Sequence, residues 1–346
     1  MNEEVYMDIT LCSPVKGEKV SLLTDAQRVF LRDGFCVQAD DDLDWMNLKR
    51  KGTEHSYPAP VRFSWSVEGS HDDLRLIIST DEAFTNPREI ECPSASCSVD
   101  VYNLRAGQRY FWKIVASTPK MKSVVNDFWT LDEAPTMYRV EGLTNVRDLG
   151  GWKTLSGKHV KRGLVFRGSE MDTHHHITDE GRRVMLEELG VHTDLDLREE
   201  AVGIIDRSPL GPSVRFELIP VKAYGEYLEP EQNSACRKVF DLLADETAYP
   251  IYVHCWGGAD RVGTVILLLN AMLGVDDESL LKDYELTSFA VWGERSRTSP
   301  LFKTLSYALD RYGSANQTLS DKATNYLIAA GVSIEQQEKI RSFILE

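Results

Sequence analysis

Apolar positions change their period once along this chain. Between Pro58 and Thr130 the period is two: Val61, Phe63, Trp65 and Val67 alternate with Arg62, Ser64 and Ser66. Leu74, Leu76 and Ile78 repeat the alternation, and Val99 and Val101 do so again. Alternation sends one face to a core and the other to solvent, so each run predicts a half-buried strand. Tyr110-Phe111-Trp112-Lys113-Ile114-Val115 and Phe128-Trp129-Thr130 extend the series, and the regular spacing predicts a β-sandwich. Two strand-like pieces precede it, Asp8-Ile9-Thr10-Leu11-Cys12 and Lys19-Val20-Ser21-Leu22-Leu23. Thr24 then reads as the N-cap of a short helix through Ala26, Val29, Phe30 and Leu31. The triplet Asp40-Asp41-Asp42 and the run Lys49-Arg50-Lys51 read as solvated charge around a loop.

After Pro135, apolar runs of strand length alternate with runs of helix length. That predicts an α/β domain whose central, mainly parallel sheet is flanked by helices. Strands are expected at 163–169, 191–197, 215–221 and 251–253. Helices are expected at 178–189, 235–243, 265–273, 279–289, 300–312, 322–330 and 334–345. The expected organisation is therefore two domains, 1–134 with an inserted segment near 24–56, and 135–346.

Composition narrows the function classes. The formal net charge of −15 opposes binding to nucleic acid or broad docking on an anionic membrane. No apolar run approaches the roughly twenty residues of a membrane span. Six cysteines among 346 residues are no disulfide framework. Cys92 and Cys97 fit a small disulfide loop and a pair of unpaired thiols equally, and both stay open. The acidic start Met1-Asn2-Glu3-Glu4 has no apolar signal core.

The chemistry concentrates in Val253-His254-Cys255-Trp256-Gly257-Gly258-Ala259-Asp260-Arg261-Val262-Gly263-Thr264. A β-branched run precedes it and an apolar helix follows, so the order is strand, Gly-rich loop, helix N-terminus. Backbone amides and the helix dipole then converge on one anion-sized concavity. Cys255 opens the loop, and a thiolate under a bound phosphoryl group is placed for in-line attack. Arg261 offers a planar fork for two oxygens of one phosphate. Trp256, Gly257, Gly258, Ala259 and Val262 supply the remaining phosphate-facing backbone, with the two glycines permitting the tight curl. The bland alternative is a buried structural cysteine with an ion-paired arginine. A nucleotide-binding P-loop is excluded, because Thr264 stands where that motif needs lysine.

Cys255-x5-Arg261 preceded by His254 resembles the signature of the cysteine-dependent protein tyrosine phosphatases. Asn145-x-Arg147-Asp148-Leu149-Gly150-Gly151, Phe166-Arg167-Gly168-Ser169 and Asp196-Leu197-Arg198 precede it in order. Together they are similar to the bacterial tyrosine/lipid phosphatase family, over residues 138–346. The resemblance implies a cysteinyl-phosphate on Cys255, hydrolysed by water, with no metal or other cofactor. It matches Asp260 to a general acid carried on the loop itself, since no Trp-Pro-Asp is present; a structural carboxylate is the alternative. His254 is expected to orient the loop. Arg147 and Asp148 are expected either to line the pocket or to form a buried ion-pair network. Two departures matter. Ala259 replaces a lysine suited to extra phosphates, and Val262 replaces a hydroxyl residue that helps the thiolate leave, with Thr264 two positions on.

The expected partner is a phosphorylated protein or small phosphomonoester. An inositol phosphate or phosphoinositide phosphatase and a catalytically weak phosphate-binding module are the alternatives. Trp65 and Leu104-x-x-Gly107-x-x-Tyr110 make the first domain resemble a fibronectin type III domain of the immunoglobulin-like sandwich class. Tyr110 would then make the tyrosine-corner hydrogen bond. A sandwich ahead of a phosphatase points to an extracytoplasmic enzyme whose signal peptide is absent from this sequence, although oxidation of a catalytic thiol argues the other way. His174-His175-His176 has no Cys or carboxylate partner at ligand spacing, so no metal site is expected.

Overall fold

The computed structural model describes residues 9–35, 43–67, 73–92, 96–116 and 123–346. The expected strand start at Asp8 and the triplet Asp40-Asp41-Asp42 lie outside them. The chain forms two compact units, Met1–Thr24 with Pro58–Glu133, and Asp25–Tyr57 with Ala134–Glu346.

The first unit is built from β1 (Ile9–Ser13), β2 (Glu18–Val20), β3 (Val61–Val67), β4 (Leu74–Ser79), β5 (Arg88–Cys92), β6 (Ser98–Val101), β7 (Arg109–Ala116) and β8 (Asn126–Thr130). They make two sheets, β1-β3-β6 and β2-β8-β7-β4-β5, antiparallel except where β2 runs parallel to β8. The alternating residues Phe63, Trp65, Leu76, Ile78, Trp112 and Phe128 meet in one cluster, with Phe63 edge-on to Trp112 at 5.1 Å. Tyr110 Oη accepts the Arg105 N–H at 2.8 Å and ties down the turn at Gly107. Strand β5 has no counterpart in the sequence expectation, because Arg-Glu-Ile-Glu-Cys at a sheet edge carries almost no apolar alternation. Cys92 and Cys97 are both free thiols.

The second unit holds a five-stranded sheet, order β12-β11-β13-β10-β9. Its strands are β9 (Arg147–Asp148), β10 (Val165–Ser169), β11 (Thr193–Asp196), β12 (Arg215–Leu218) and β13 (Ile251–Cys255). All pair in parallel except β9, which runs antiparallel to β10 at the edge. Successive residues of β13 feed opposite faces: Ile251, Val253 and Cys255 join one cluster and Tyr252 the other. The helices are α1 (Asp25–Asp33), α2 (Trp45–Leu48), α3 (Asp179–Arg183), α4 (Asn233–Leu243), α5 (Asp260–Leu273), α6 (Asp277–Leu286), α7 (Pro300–Asp310), α8 (Leu319–Ala329) and α9 (Ile334–Ile344). Helix α5 is buried all round from Val262 to Leu273, and Gly274 ends it in the left-handed conformation at φ 89°. Such a helix stays in place through packing on every side. None of the described helices is long and apolar enough to cross a membrane.

The segment from Asp25 to Tyr57, expected as an insertion in the first domain, packs instead with the second unit. Phe30 of α1 and Trp45 of α2 form a closed aromatic cluster with Leu286 and Phe289. Its last residues reach further. Glu54 is half-buried and accepts hydroxyls from Ser56 and Thr144, and Ser56 Oγ in turn accepts the Asn145 N–H at 2.9 Å. Burial pushes the Glu54 carboxyl upward.

Candidate active site

Strand β13 ends at Cys255 and α5 starts at Asp260, so residues 256–259 must reverse the chain within one turn. Every carbonyl of that turn is held from outside. Trp256 O accepts the Glu170 N–H at 3.0 Å, and Gly257 O accepts Asn145 Nδ2 at 3.0 Å. Gly258 O accepts Asn145 Nδ2 at 3.1 Å and Arg167 Nη2 at 2.7 Å; Ala259 O accepts the Gly263 N–H at 2.8 Å. In a trans peptide the N–H opposes the C=O. Holding the carbonyls outward therefore turns the amides of Gly257, Gly258, Ala259 and Asp260 the other way. None of those amides donates to a carbonyl among the described residues. Gly258 has φ 62°, and a Cβ there would lie 2.2 Å from Gly168 O. A Cβ on Gly257 would meet Trp292 at 2.4 Å. Both positions require glycine.

Two buried charge networks support this loop. Arg147 Nε and Arg167 Nη1 both bind the Asp283 carboxylate, at 2.9 and 2.7 Å, and Arg147 also donates to Asn145 Oδ1. Burial opposes ionisation of Asp283, yet the two guanidiniums outweigh it and lower its pKa. Burial and the neighbouring Arg147 bring Arg167 down to about 10. On the other side, His254 Nε2 lies 2.8 Å from Asp194 Oδ1. Burial opposes its charge, but Asp194 and Asp196 prevail and raise His254 to about 9. Arg198 spans Asp196, Asp172 and Glu170. The Glu170 carboxylate also accepts the N–H groups of Asp172, Thr173, His174 and His175, which winds that loop around it.

Cys255 keeps only 4% of its surface open, at the base of the turn. Its sulfur acts electrostatically on both Arg261 and Arg167. The Arg261 fork is bidentate on Glu200, at 2.9 and 2.7 Å. Burial works against the Arg261 charge, and the Glu200 pair more than restores it. Asp260 Oδ1 accepts Tyr224 Oη and Arg295 Nε, the latter at 2.8 Å, while Oδ2 accepts Arg295 Nη2 at 3.1 Å. Tyr224 Oη also meets Tyr284 Oη at 2.8 Å. Burial first, then the Asp260 charge, pushes the Tyr224 phenol far up. The arrangement couples a sulfur, an amide-lined turn, one guanidinium and one carboxylate, the parts a phosphoryl transfer needs.

The sequence of residues 138–346 matches the model of the tyrosine phosphatase family. The chain belongs to that family. It is a cysteine-based phosphatase, a hydrolase. No curated protein sequence matches the phosphatase. Among solved structures it is similar to the core catalytic domain of the PP-IP phosphatase SIW14 from S. cerevisiae, in complex with citrate. The likeness covers 42% of this chain and 78% of that one, at 13% identity and a TM-score of 0.30.

Several expected site residues of the phosphatase sit behind the loop. Arg147 is fully buried and supports it. Asp148 is also buried, where its carboxylate closes the β9–β10 turn through the Gly150 and Gly163 amides, each at 2.7 Å; burial raises it to about 6. Neither lines the pocket. Thr264 is committed too: its hydroxyl donates to Asp260 O at 2.9 Å and accepts the Tyr224 N–H at 2.8 Å. Val262 and Ala259 are buried. Trp256 is 40% exposed, with the His174 ring 4.6 Å away, and Trp292 Nε1 donates to His175 Nε2. Among the described residues no group of His, Cys, Asp and Glu is placed to hold a metal. Glu200, Arg295, Asp283 and Glu170 were not anticipated. Glu200 directly follows the Asp196-Leu197-Arg198-Glu199 run, the one local cue available. Arg295 has no cue at all.

Proposed function

We propose that the protein hydrolyses phosphotyrosine or related aryl and protein phosphates through a cysteinyl-phosphate on Cys255. The observation that carries this reading is the set of outward-held carbonyls, which leaves the turn's amides free for an oxyanion. The Arg261 fork leaves Glu200 and takes two phosphoryl oxygens. Cys255 Sγ attacks phosphorus in line with the ester oxygen; the P–O bond breaks and its electron pair stays on the leaving oxygen. Once Arg295 swings away from the carboxylate both of whose oxygens it occupies, Asp260 takes up a proton from solvent and delivers it to that oxygen. Water then attacks phosphorus and gives its proton to the Asp260 carboxylate, the S–P bond breaks, and inorganic phosphate departs as the thiolate returns.

That grip on Asp260 favours aryl esters. A phenol leaves as a weak base, with a pKa of about 10, and needs little protonation. The alkoxide of a serine or inositol ester needs far more. Exposed Trp256 beside His174 offers a flat wall for the departing ring. Inositol phosphates with further phosphates are disfavoured by Ala259, which brings no cation to the loop. For the first unit we propose an immunoglobulin-like, fibronectin type III-like sandwich, on its two sheets around one core and the Tyr110 hydrogen bond to Arg105. The test of the catalytic reading compares wild type with Cys255→Ser on p-nitrophenyl phosphate and a phosphotyrosine peptide. Loss of turnover in the variant is expected; equal rates overturn the reading.

A further inference from the structure

A cavity of about 710 Å³ opens beside Arg261, and neither Trp256 nor His174 lines it. Its wall includes Tyr224 next to the loop and the exposed apolar surfaces of Leu301 and Tyr307 on α7. The size suits several side chains of an extended ligand rather than one phosphate. Its charges are unevenly satisfied. Lys222 pairs with Glu199 at 2.8 Å, Arg311 with Glu229 at 3.0 Å, and Arg261 with Glu200 at 2.7 Å. Glu226, exposed on the same wall, has no ion-pair partner among the described residues. Its field reaches Lys222, which the Glu199 hydrogen bond and charge already hold above its ordinary value.

We infer that this groove receives the residues flanking the phosphotyrosine of a polypeptide, and that Glu226 selects a lysine or arginine among them. Beyond Arg261, a polyphosphorylated ligand finds the groove's cations Lys222 and Arg311 already paired with carboxylates and meets the unpaired carboxylate of Glu226. A peptide finds apolar surface on Leu301 and Tyr307 for its side chains and Glu226 for one positive charge. The chain's net charge of −15 gives the same preference at longer range. The inference rests on the phosphotyrosine reading above and adds the class of substrate that the site prefers.

The test uses the full chain and three substrates: p-nitrophenyl phosphate, a phosphotyrosine peptide flanked by lysines, and the same peptide flanked by glutamates. An exposed charge pair is expected to change kcat/KM by about two- to fivefold, so the lysine peptide leads by that factor. Glu226→Lys reverses the order, while p-nitrophenyl phosphate, which has no flanking residues to place in the groove, is hydrolysed as by wild type. Tyr307→Ala raises KM for both peptides and leaves p-nitrophenyl phosphate unaffected. Equal kcat/KM for the two peptides in wild type overturns the inference, as does an order that Glu226→Lys leaves intact. Turnover of p-nitrophenyl phosphate without turnover of either peptide overturns it too, while the phosphomonoesterase reading stands. Failure on all three substrates overturns both.

Discussion

Asn145 is the residue at which loop geometry and turnover can be separated most cleanly. Its Nδ2 holds two carbonyls of the turn, Gly257 O and Gly258 O, and its Oδ1 accepts from Arg147. The residue also has φ 62°, a left-handed conformation that asparagine tolerates and alanine does not. Asn145→Gly therefore removes the side chain without backbone strain. Gly258 O keeps Arg167, but Gly257 O is left buried without a partner. Two neutral hydrogen bonds at about 1 kcal/mol each and one from the Arg147 guanidinium at about 1.5–3, with the orphaned carbonyl added, predict a loss of about 4–6 kcal/mol. Asn145→Ala should cost about 1 kcal/mol more, from the strained φ.

The catalytic effect follows from the peptide plane. With Gly257 O unanchored, the Gly258 N–H is free to rotate out of the concavity, and losing one oxyanion donor costs up to about 10²–10³ in kcat. Because Arg167 still fixes the next carbonyl, a fall of about 10–100-fold is expected. The assays are urea unfolding for stability and steady-state hydrolysis of p-nitrophenyl phosphate for the loop. A stability loss of the expected size with unchanged kcat/KM refutes the reasoning, since the carbonyl anchors would then have no bearing on where the amides point.

Three further outcomes are expected. Asp283→Asn strands two buried guanidiniums and should destabilise the protein by about 3–5 kcal/mol, read from urea midpoints. His254 is raised from 6.5 to about 9 in the folded state, so its contribution is complete below pH 6.5 and is lost as pH climbs from 6.5 towards 9. Tm should fall across that window, and His254→Asn should flatten the fall. Val262 offers no hydroxyl to the departing thiolate and Thr264 is bonded to Asp260 O and Tyr224 N, so breakdown of the phosphoenzyme should limit turnover. Rapid-quench measurements should show a burst of one equivalent of p-nitrophenol in wild type, and Val262→Ser should raise kcat and shrink the burst.

The loop was legible in the sequence because its chemistry is local. A β-branched strand, two glycines at positions with no room for a Cβ, and an apolar helix lie within twenty-odd residues of each other, and each has its own signature. What lies around the loop is set by distant contacts. Arg295 and Arg297 are two residues apart and look alike in sequence, yet one grips Asp260 while the other binds Glu285 and Glu278. Phe30 and Trp45 are apolar positions that either unit would accept; only Leu286 and Phe289, far along the chain, decide which. The polar edge strand β5 was missed for the converse reason, since its pairing with β4 comes from backbone rather than from a buried face.

The way the two charge networks are placed bears on why they persist. Arg147, Arg167 and Asp283 lie behind one side of the turn, and His254, Asp194, Asp196, Arg198 and Glu170 lie behind the other. Buried ion pairs seldom add net stability, and well-packed apolar residues of similar volume often do better. Apolar replacements, however, have no donor for Gly258 O and no carboxylate to wind residues 172–175 around. The networks therefore exchange stability for direction. They fix where carbonyls point, and so where the opposite amides point, at the one place in the fold where an anion has to be met by backbone.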